Sequence, residues 1–269
     1  MSKFDTFDAY PAESLPAAEA ALLTVWRTLE RYQDDLVLVG GLAVHYLTRR
    51  SVAGLPGAVT MDADFGITLG ATGGQYGTIQ SDLSGLGFKT ENRRLVRPCG
   101  TLNLYIDFLT EAPSATTGSR WVDDVVASVI PGINRALACR RKVAIEGRDL
   151  YGAAQRCHIP VADIGPLLVL KLNAFGGPTG RRLPKDAYDV LLAVTAYLDG
   201  AEAAVQGFRR EAETGNTGYA SAITALKNDF TAPEKDGPTR AAEFFPGSSA
   251  KRERLRQTVA TAGRFLLGE

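Results

Sequence analysis

Val59-Thr60-Met61-Asp62-Ala63-Asp64-Phe65-Gly66-Ile67 is a β-prone, mostly apolar run that two carboxylates interrupt two residues apart. Residues i and i+2 of a strand face the same side. Asp62 and Asp64 therefore project together, which suits a hard divalent cation held by oxygen. Taken alone, the pair is a weak signal, and a merely solvated acidic strand end is the better reading. Upstream, Leu36-Val37-Leu38-Val39 is a hydrophobic strand closed by Gly40-Gly41, and a helix over residues 42–48 follows. Downstream, residues 101–109 form another strand, with Asp107 set between Leu104-Tyr105-Ile106 and Phe108-Leu109. An ionised carboxylate buried alone costs on the order of several kcal/mol. Asp107 therefore either pairs with an arginine or joins Asp62 and Asp64 in a three-carboxylate cluster. Such clusters hold Mg²⁺ (or Mn²⁺) together with a substrate's phosphates.

The rest of the chain alternates in the same way. Leu15, Ala18, Leu22, Val25, Trp26 and Leu29 give residues 12–32 helical periodicity. Residues 51–58 read as a loop from their glycines and proline. The glycine-rich residues 70–77 lack the Gly-Lys-Ser/Thr ending of a P-loop and read as a connector to a helix over residues 75–86. Residues 90–98 are basic, 111–119 an exposed loop, and 121–130 a short helix. Residues 137–145, with Arg140-Arg141-Lys142, and 156–161 read as strands. A helix then runs from Asp163 to Phe175 with Pro166 in its first turn, where proline is tolerated. After a glycine break a second helix covers residues 185–198, and helical units interrupted near residues 215, 233–237 and 246–247 complete the chain. The expected class is α+β: an α/β domain over residues 1–161, with a mixed sheet flanked by helices, followed by an α-helical C-terminal domain over residues 162–269.

Thirty basic and thirty acidic residues cancel, so overall charge does not announce a nucleic-acid binder. Only local patches, residues 93–97, 140–142 and 251–256, favour RNA phosphate. Cys99, Cys139 and Cys157 are odd in number and widely spaced, against a disulfide framework or zinc site and in keeping with a reducing cytoplasm. The two histidines, His45 and His158, read as packed or capping groups. Residues 1–11 are acidic and aromatic, unlike a signal peptide. No apolar run reaches the roughly 18 residues that span a bilayer, so a cytoplasmic protein without a membrane partner is expected.

The second half adds cations. Lys171 ends the apolar run Leu167-Leu168-Val169-Leu170, as a lysine snorkelling at a core edge would. Arg181-Arg182-Leu183-Pro184-Lys185-Asp186-Ala187-Tyr188-Asp189 follows, with Asp186 and Asp189 on one helical face. Asp186 could equally complement the helix N-terminus. A lysine facing this turn suits a triphosphate, for which Lys supplies a point charge and Arg a bidentate fork.

Gly40-Gly41, Asp62-x-Asp64 and Asp107, in that order, resemble the active-site signature of the DNA polymerase β-like nucleotidyltransferase superfamily. Lys171-Leu172-Asn173-Ala174-Phe175, with Arg181, Arg182, Lys185, Asp186 and Asp189, narrows the resemblance to AbiEii/MenT-type nucleotidyltransferase toxins of bacterial toxin–antitoxin and phage-defence systems. It covers residues 36–198 and implies a nucleotidyltransferase-type sheet, with the nucleotide in a cleft beside the helical part. Gly40 and Gly41 would admit the triphosphate, and Asp62 and Asp64 would hold Mg²⁺. Asp107 would complete the metal site or act as base. Lys171 would contact triphosphate, Asp186 would position it, and Arg182, Lys185 and Asp189 would line the nucleotide. The implied reaction moves NMP from an NTP to the 3′ end of tRNA, releases pyrophosphate and so blocks translation, with an antitoxin protein as a further partner. Many superfamily members have Gly-Ser where this chain has Gly40-Gly41, so one phosphate-binding hydroxyl is lost. The alternatives are a protein side chain or small molecule, such as an antibiotic, as acceptor, or a non-catalytic nucleotide-binding protein.

Overall fold

The computed structural model describes residues 4–49, 51–52, 54–68, 78–112, 118–122 and 124–269. The chain begins with α1 (Ser14–Leu29), β1 (Leu36–Val39), α2 (Gly40–Leu47), β2 (Ser51–Val52), β3 (Leu55–Pro56) and β4 (Asp62–Ile67). Then come α3 (Ile79–Gly85), β5 (Lys89–Glu91), β6 (Arg94–Cys99), β7 (Leu102–Thr110), β8 (Ser119–Val122), β9 (Val125–Val129) and α4 (Ile133–Ala138). The hairpin β10 (Arg140–Arg148) and β11 (Ala154–Ala162) precedes α5 (Ile164–Gly176) and α6 (Pro184–Thr195). The chain closes with α7 (Ala201–Arg210), α8 (Tyr219–Asp229), α9 (Asp236–Phe244) and α10 (Ser249–Leu267).

Among the described residues nine strands join in one sheet, ordered β10-β11-β1-β4-β7-β6-β5, with β9 on β7 and β8 on β9. The sheet is mixed, because β1 runs parallel to β11 and antiparallel to β4, while β4 runs parallel to β7. β1 is buried along its whole length, as expected of an all-apolar strand with both faces covered. Period-two alternation divides the faces of β4 and β7. Phe65 and Phe108 turn toward α1, where Trp26 stacks on Phe65 and Phe65 on Phe108, each with ring centroids 6.1 Å apart. The opposite face keeps the acidic residues of both strands.

All strands lie before Asp163 and the helical region follows, so the class is α+β as expected. The Asp163 carboxylate accepts the Ile164 N–H at 2.8 Å and starts α5. Pro184 opens α6, where its missing N–H removes no helical bond. The apolar interior is continuous across residues 161–162, joining β1 to residues of α5, α6, α7 and α10 in one cluster. Each buried Leu or Phe in it contributes about 1.5–3 kcal/mol, so the sheet and the helical region stabilise one another through a shared interior.

Several expectations need correction. Residues 121–130 are the β8–β9 hairpin, not a helix, with Val122 paired to Val125. Their β-branched valines fit a pleated surface better than a helix. Leu137 belongs to α4, and the strand starts at Arg140. The loop at residues 51–58 contains the small β2–β3 ladder. His45 is packed as expected, 3.3 Å from Glu19, but His158 is exposed on β11. In the Arg140 cluster two of the three cations are engaged: Arg140 donates to the carbonyls of Asp34 and Leu36, and Arg141 pairs with Asp163 and Asp199, while Lys142 is exposed. The glycine-rich residues 70–77, and most of the loop expected at residues 111–119, lie outside the described residues. Cys99, Cys139 and Cys157 are free thiols. Among the described residues no helix is long and apolar enough to cross a membrane.

Candidate active site

Asp64 sits between Val39 of β1 and Asp107 of β7 in strand register, and Asp62 sits opposite Tyr105. Asp62, Asp64 and Asp107 therefore share one sheet face, as the i, i+2 spacing implies. Arg94 joins them from β6. Its Nε donates to Asp107 Oδ1 at 2.7 Å and its Nη2 to Asp107 Oδ2, while the same Nη2 lies 3.4 Å from Asp62 Oδ1. The guanidinium rests 4.2 Å over the Tyr105 ring. Burial works to lower its pKa, but the hydrogen bond and charge of Asp107, with Asp62 and Asp64, prevail and raise it.

Asp107 thus takes the arginine partner that the sequence left as an alternative to metal ligation. Among the described residues no group of three His, Cys, Asp or Glu side chains could hold a metal ion. Asp62 and Asp64 remain a pair of hard oxygen donors on one strand face. That pair fits Mg²⁺, which keeps several positions for water and phosphate. Asp107, forked onto Arg94, does not fit as a third ligand.

Gly40 opens α2 with φ +70°, and a Cβ there would lie 1.9 Å from Asp64 Oδ2. Only glycine lets the backbone approach the carboxylate so closely in that conformation. A Cβ on Gly41 would lie 2.8 Å from Thr60 Oγ1 and 3.1 Å from Lys185 Nζ. Buried Thr60 therefore fills the space a serine would use at position 41. Its Oγ1 also accepts the Asp62 N–H at 3.2 Å and steadies the start of β4. The N-terminus of α2 brings the N–H groups that have no partner within the helix, and its positive dipole end, to the same place.

Behind the glycine pair lies a buried ionic group. Lys171 on α5 and Lys185, Asp186 and Asp189 on α6 are each at most 5% exposed, deep enough that none could be charged alone. Asp189 Oδ2 accepts from Lys171 Nζ at 2.7 Å and Lys185 Nζ at 2.6 Å. Asp186 lies 3.8 Å from Lys171 and receives Arg181 at 3.3 Å. Burial presses the Lys185 pKa down, yet Asp189, Asp186 and Asp62 outweigh it and the net shift is upward. Asp189 Oδ1 is buried without a hydrogen-bond partner among the described residues. Tyr10 borders the group. Burial raises its pKa against the Phe4 N–H bond, and Asp189, Asp62 and Asp186 add to the rise.

The fold therefore brings Gly40, Gly41, Asp62, Asp64, Lys171, Lys185, Asp186 and Asp189 into one neighbourhood. Two placements differ from expectation. Lys171 is inside the protein rather than snorkelling at its edge, and Lys185 is the lysine that reaches the glycine pair. Arg182, expected at the nucleotide, instead donates to Asp229 at 2.8 Å and to Asp236, tying its turn to α8 and α9. Arg94 and Thr60 are site residues that the sequence motifs do not include. Asn92 was the signal for Arg94: it marks a tight turn that sends Arg94 back along β6. No protein-family model matches the chain, and no curated protein matches it.

Proposed function

We propose that the chain is a divalent-cation-dependent nucleotidyltransferase that moves NMP from an NTP to the 3′ end of tRNA, the activity of a toxin in a toxin–antitoxin system. The observation that carries the chemistry is the meeting of Asp62 and Asp64 with the Gly40–Gly41 helix N-terminus and Lys185. The tRNA acceptor, the toxin role and an antitoxin partner rest on the sequence resemblance.

In this reading the α2 N-terminus binds triphosphate through backbone N–H groups and its dipole. Lys185 adds positive charge beside the glycine pair. Lys171 and Asp189 act as positioning residues, holding Lys185 by the shared carboxylate oxygen. Asp62 and Asp64 would hold Mg²⁺, which supplies charge neutralisation at the reacting phosphate. The acceptor hydroxyl oxygen bonds to the α-phosphorus, the bond from that phosphorus to pyrophosphate breaks, and the hydroxyl proton is released. Both Asp107 oxygens are taken by Arg94 hydrogen bonds, so this reading gives Asp107 no role in the reaction.

The test incubates the chain with total RNA, Mg²⁺ and each α-labelled NTP in turn. Label at tRNA 3′ ends is expected. Label on protein alone, or nowhere, contradicts the tRNA assignment.

A further inference from the structure

The geometry points to Arg94 as a built-in cation that bridges Asp107 and Asp62, so that the centre takes one divalent ion, at Asp62 and Asp64, instead of two. This rests on the nucleotidyltransferase reading and says how many ions that site uses. Two-ion centres place a second cation where attacking and leaving oxygens are clamped. Here the guanidinium makes the contacts such a cation would make: two hydrogen bonds to Asp107, and an approach of 3.4 Å to Asp62 Oδ1.

The backbone builds this placement. Asn92 and Arg93 both have positive φ, 49° and 66°, and join Glu91 to Arg94 in a two-residue hairpin turn. That is the mirror-image turn that matches strand twist. The register of β6 on β7 pairs Leu95 with Ile106, which puts Arg94 across from Asp107. Tyr105 lies beneath the guanidinium and holds its plane. The side chain is 27% exposed, so it is anchored and yet borders the carboxylate face.

Charge agrees. One guanidinium and one divalent ion neutralise the three carboxylates, whereas a second divalent ion would leave the centre positive before phosphate arrives. A guanidinium keeps its charge throughout the working pH range and cannot be chelated away. It also cannot act as a Lewis acid, so Arg94 is assigned a positioning and charge-balancing role.

The experiment counts Mn²⁺ bound per full-length chain in the presence of a non-hydrolysable nucleoside triphosphate, by the paramagnetic resonance signal of free Mn²⁺. Wild type is expected to bind one ion tightly. Arg94→Met, which removes the charge and keeps a stem over Tyr105, is expected to bind two. Adding Asp107→Asn to it should return the count to one, and Arg94→Lys should stay at one, which also controls for misfolding. A count of two in wild type, or one in a folded Arg94→Met chain, overturns the role of Arg94 and leaves the nucleotidyltransferase reading standing. A wild-type chain that binds no Mn²⁺ removes both.

Discussion

Asp64 on β4 and Asp107 on β7 are direct register partners on parallel strands, and Arg94 alone among the described cations forks onto Asp107. Like charges placed opposite one another destabilise a sheet, so the guanidinium is structural before it is anything else. Charge-assisted bonds of this kind are worth about 1.5–3 kcal/mol. Partial exposure of Arg94 reduces that figure through solvent screening. Arg94→Ala is therefore expected to cost about 1–2 kcal/mol in urea unfolding. Excess Mg²⁺ should restore part of the loss in the variant. An Arg94→Ala chain as stable as wild type would show that the pair contributes nothing.

The lysine pair on Asp189 gives a larger effect. Removing one partner of a buried ion pair typically costs about 3–5 kcal/mol. Lys185→Met should fall in that range, since its ammonium and the Asp189 carboxylate are almost wholly buried. Lys185→Met combined with Asp189→Leu should cost less than the sum of the two single losses, because both singles break the same bond, while Lys171 is left with Asp186 at 3.8 Å. Strictly additive losses, measured by denaturant titration, would exclude the coupling.

Alkaline pH tests the same group. Asp189, Asp186 and Asp62 overcome burial and raise the Lys185 pKa, while burial raises those of Tyr10 and Tyr188. A group that holds its proton more tightly when folded adds stability that is complete below its unfolded pKa and lost as pH climbs through the folded one. The unfolded values are about 10 for Tyr and about 10.4 for Lys. Unfolding free energy should therefore be steady from this source through neutrality and fall above about pH 10. Urea midpoints that rise across that window would contradict the assignment.

Gly40 and Asp64 should be coupled. Gly40→Ala places a methyl on the Asp64 carboxylate and forces alanine into φ +70°. In an Asp64→Ala background the overlap with the carboxylate disappears, while a 2.9 Å approach to the Cβ of residue 64 and the backbone penalty of about 1–2 kcal/mol remain. Gly40→Ala should thus be less destabilising in that background than in wild type. Additive losses would mean that the carboxylate is not packed on Gly40.

The carboxylate face was legible because it depends on local periodicity: Asp62-x-Asp64 can share a strand face only one way. Asp186 and Asp189 are read similarly from i, i+3 spacing on α6. Partners distant in sequence were harder. In the sequence Arg94 is one residue of a basic segment and nothing more, since its turn uses Arg93 where glycine is usual. Arg182 looked like a phosphate ligand, yet Asp229 and Asp236, about 50 residues on, claim it. The β8–β9 hairpin was missed because a short valine-rich run carries little period of its own, and pairing to β7 decides it.

Nucleotidyl transfer at Asp62 and Asp64 is the central claim, and Asp64→Asn tests it most directly. The variant keeps the side chain's size and its place against Gly40 but removes the charge that would hold the cation. Initial rates of pyrophosphate release from NTP in the presence of RNA and Mg²⁺ should fall by about a thousandfold, the equivalent of about 4 kcal/mol, while circular dichroism and the unfolding midpoint show a folded chain. Pyrophosphate release at the wild-type rate by folded Asp64→Asn would contradict the account.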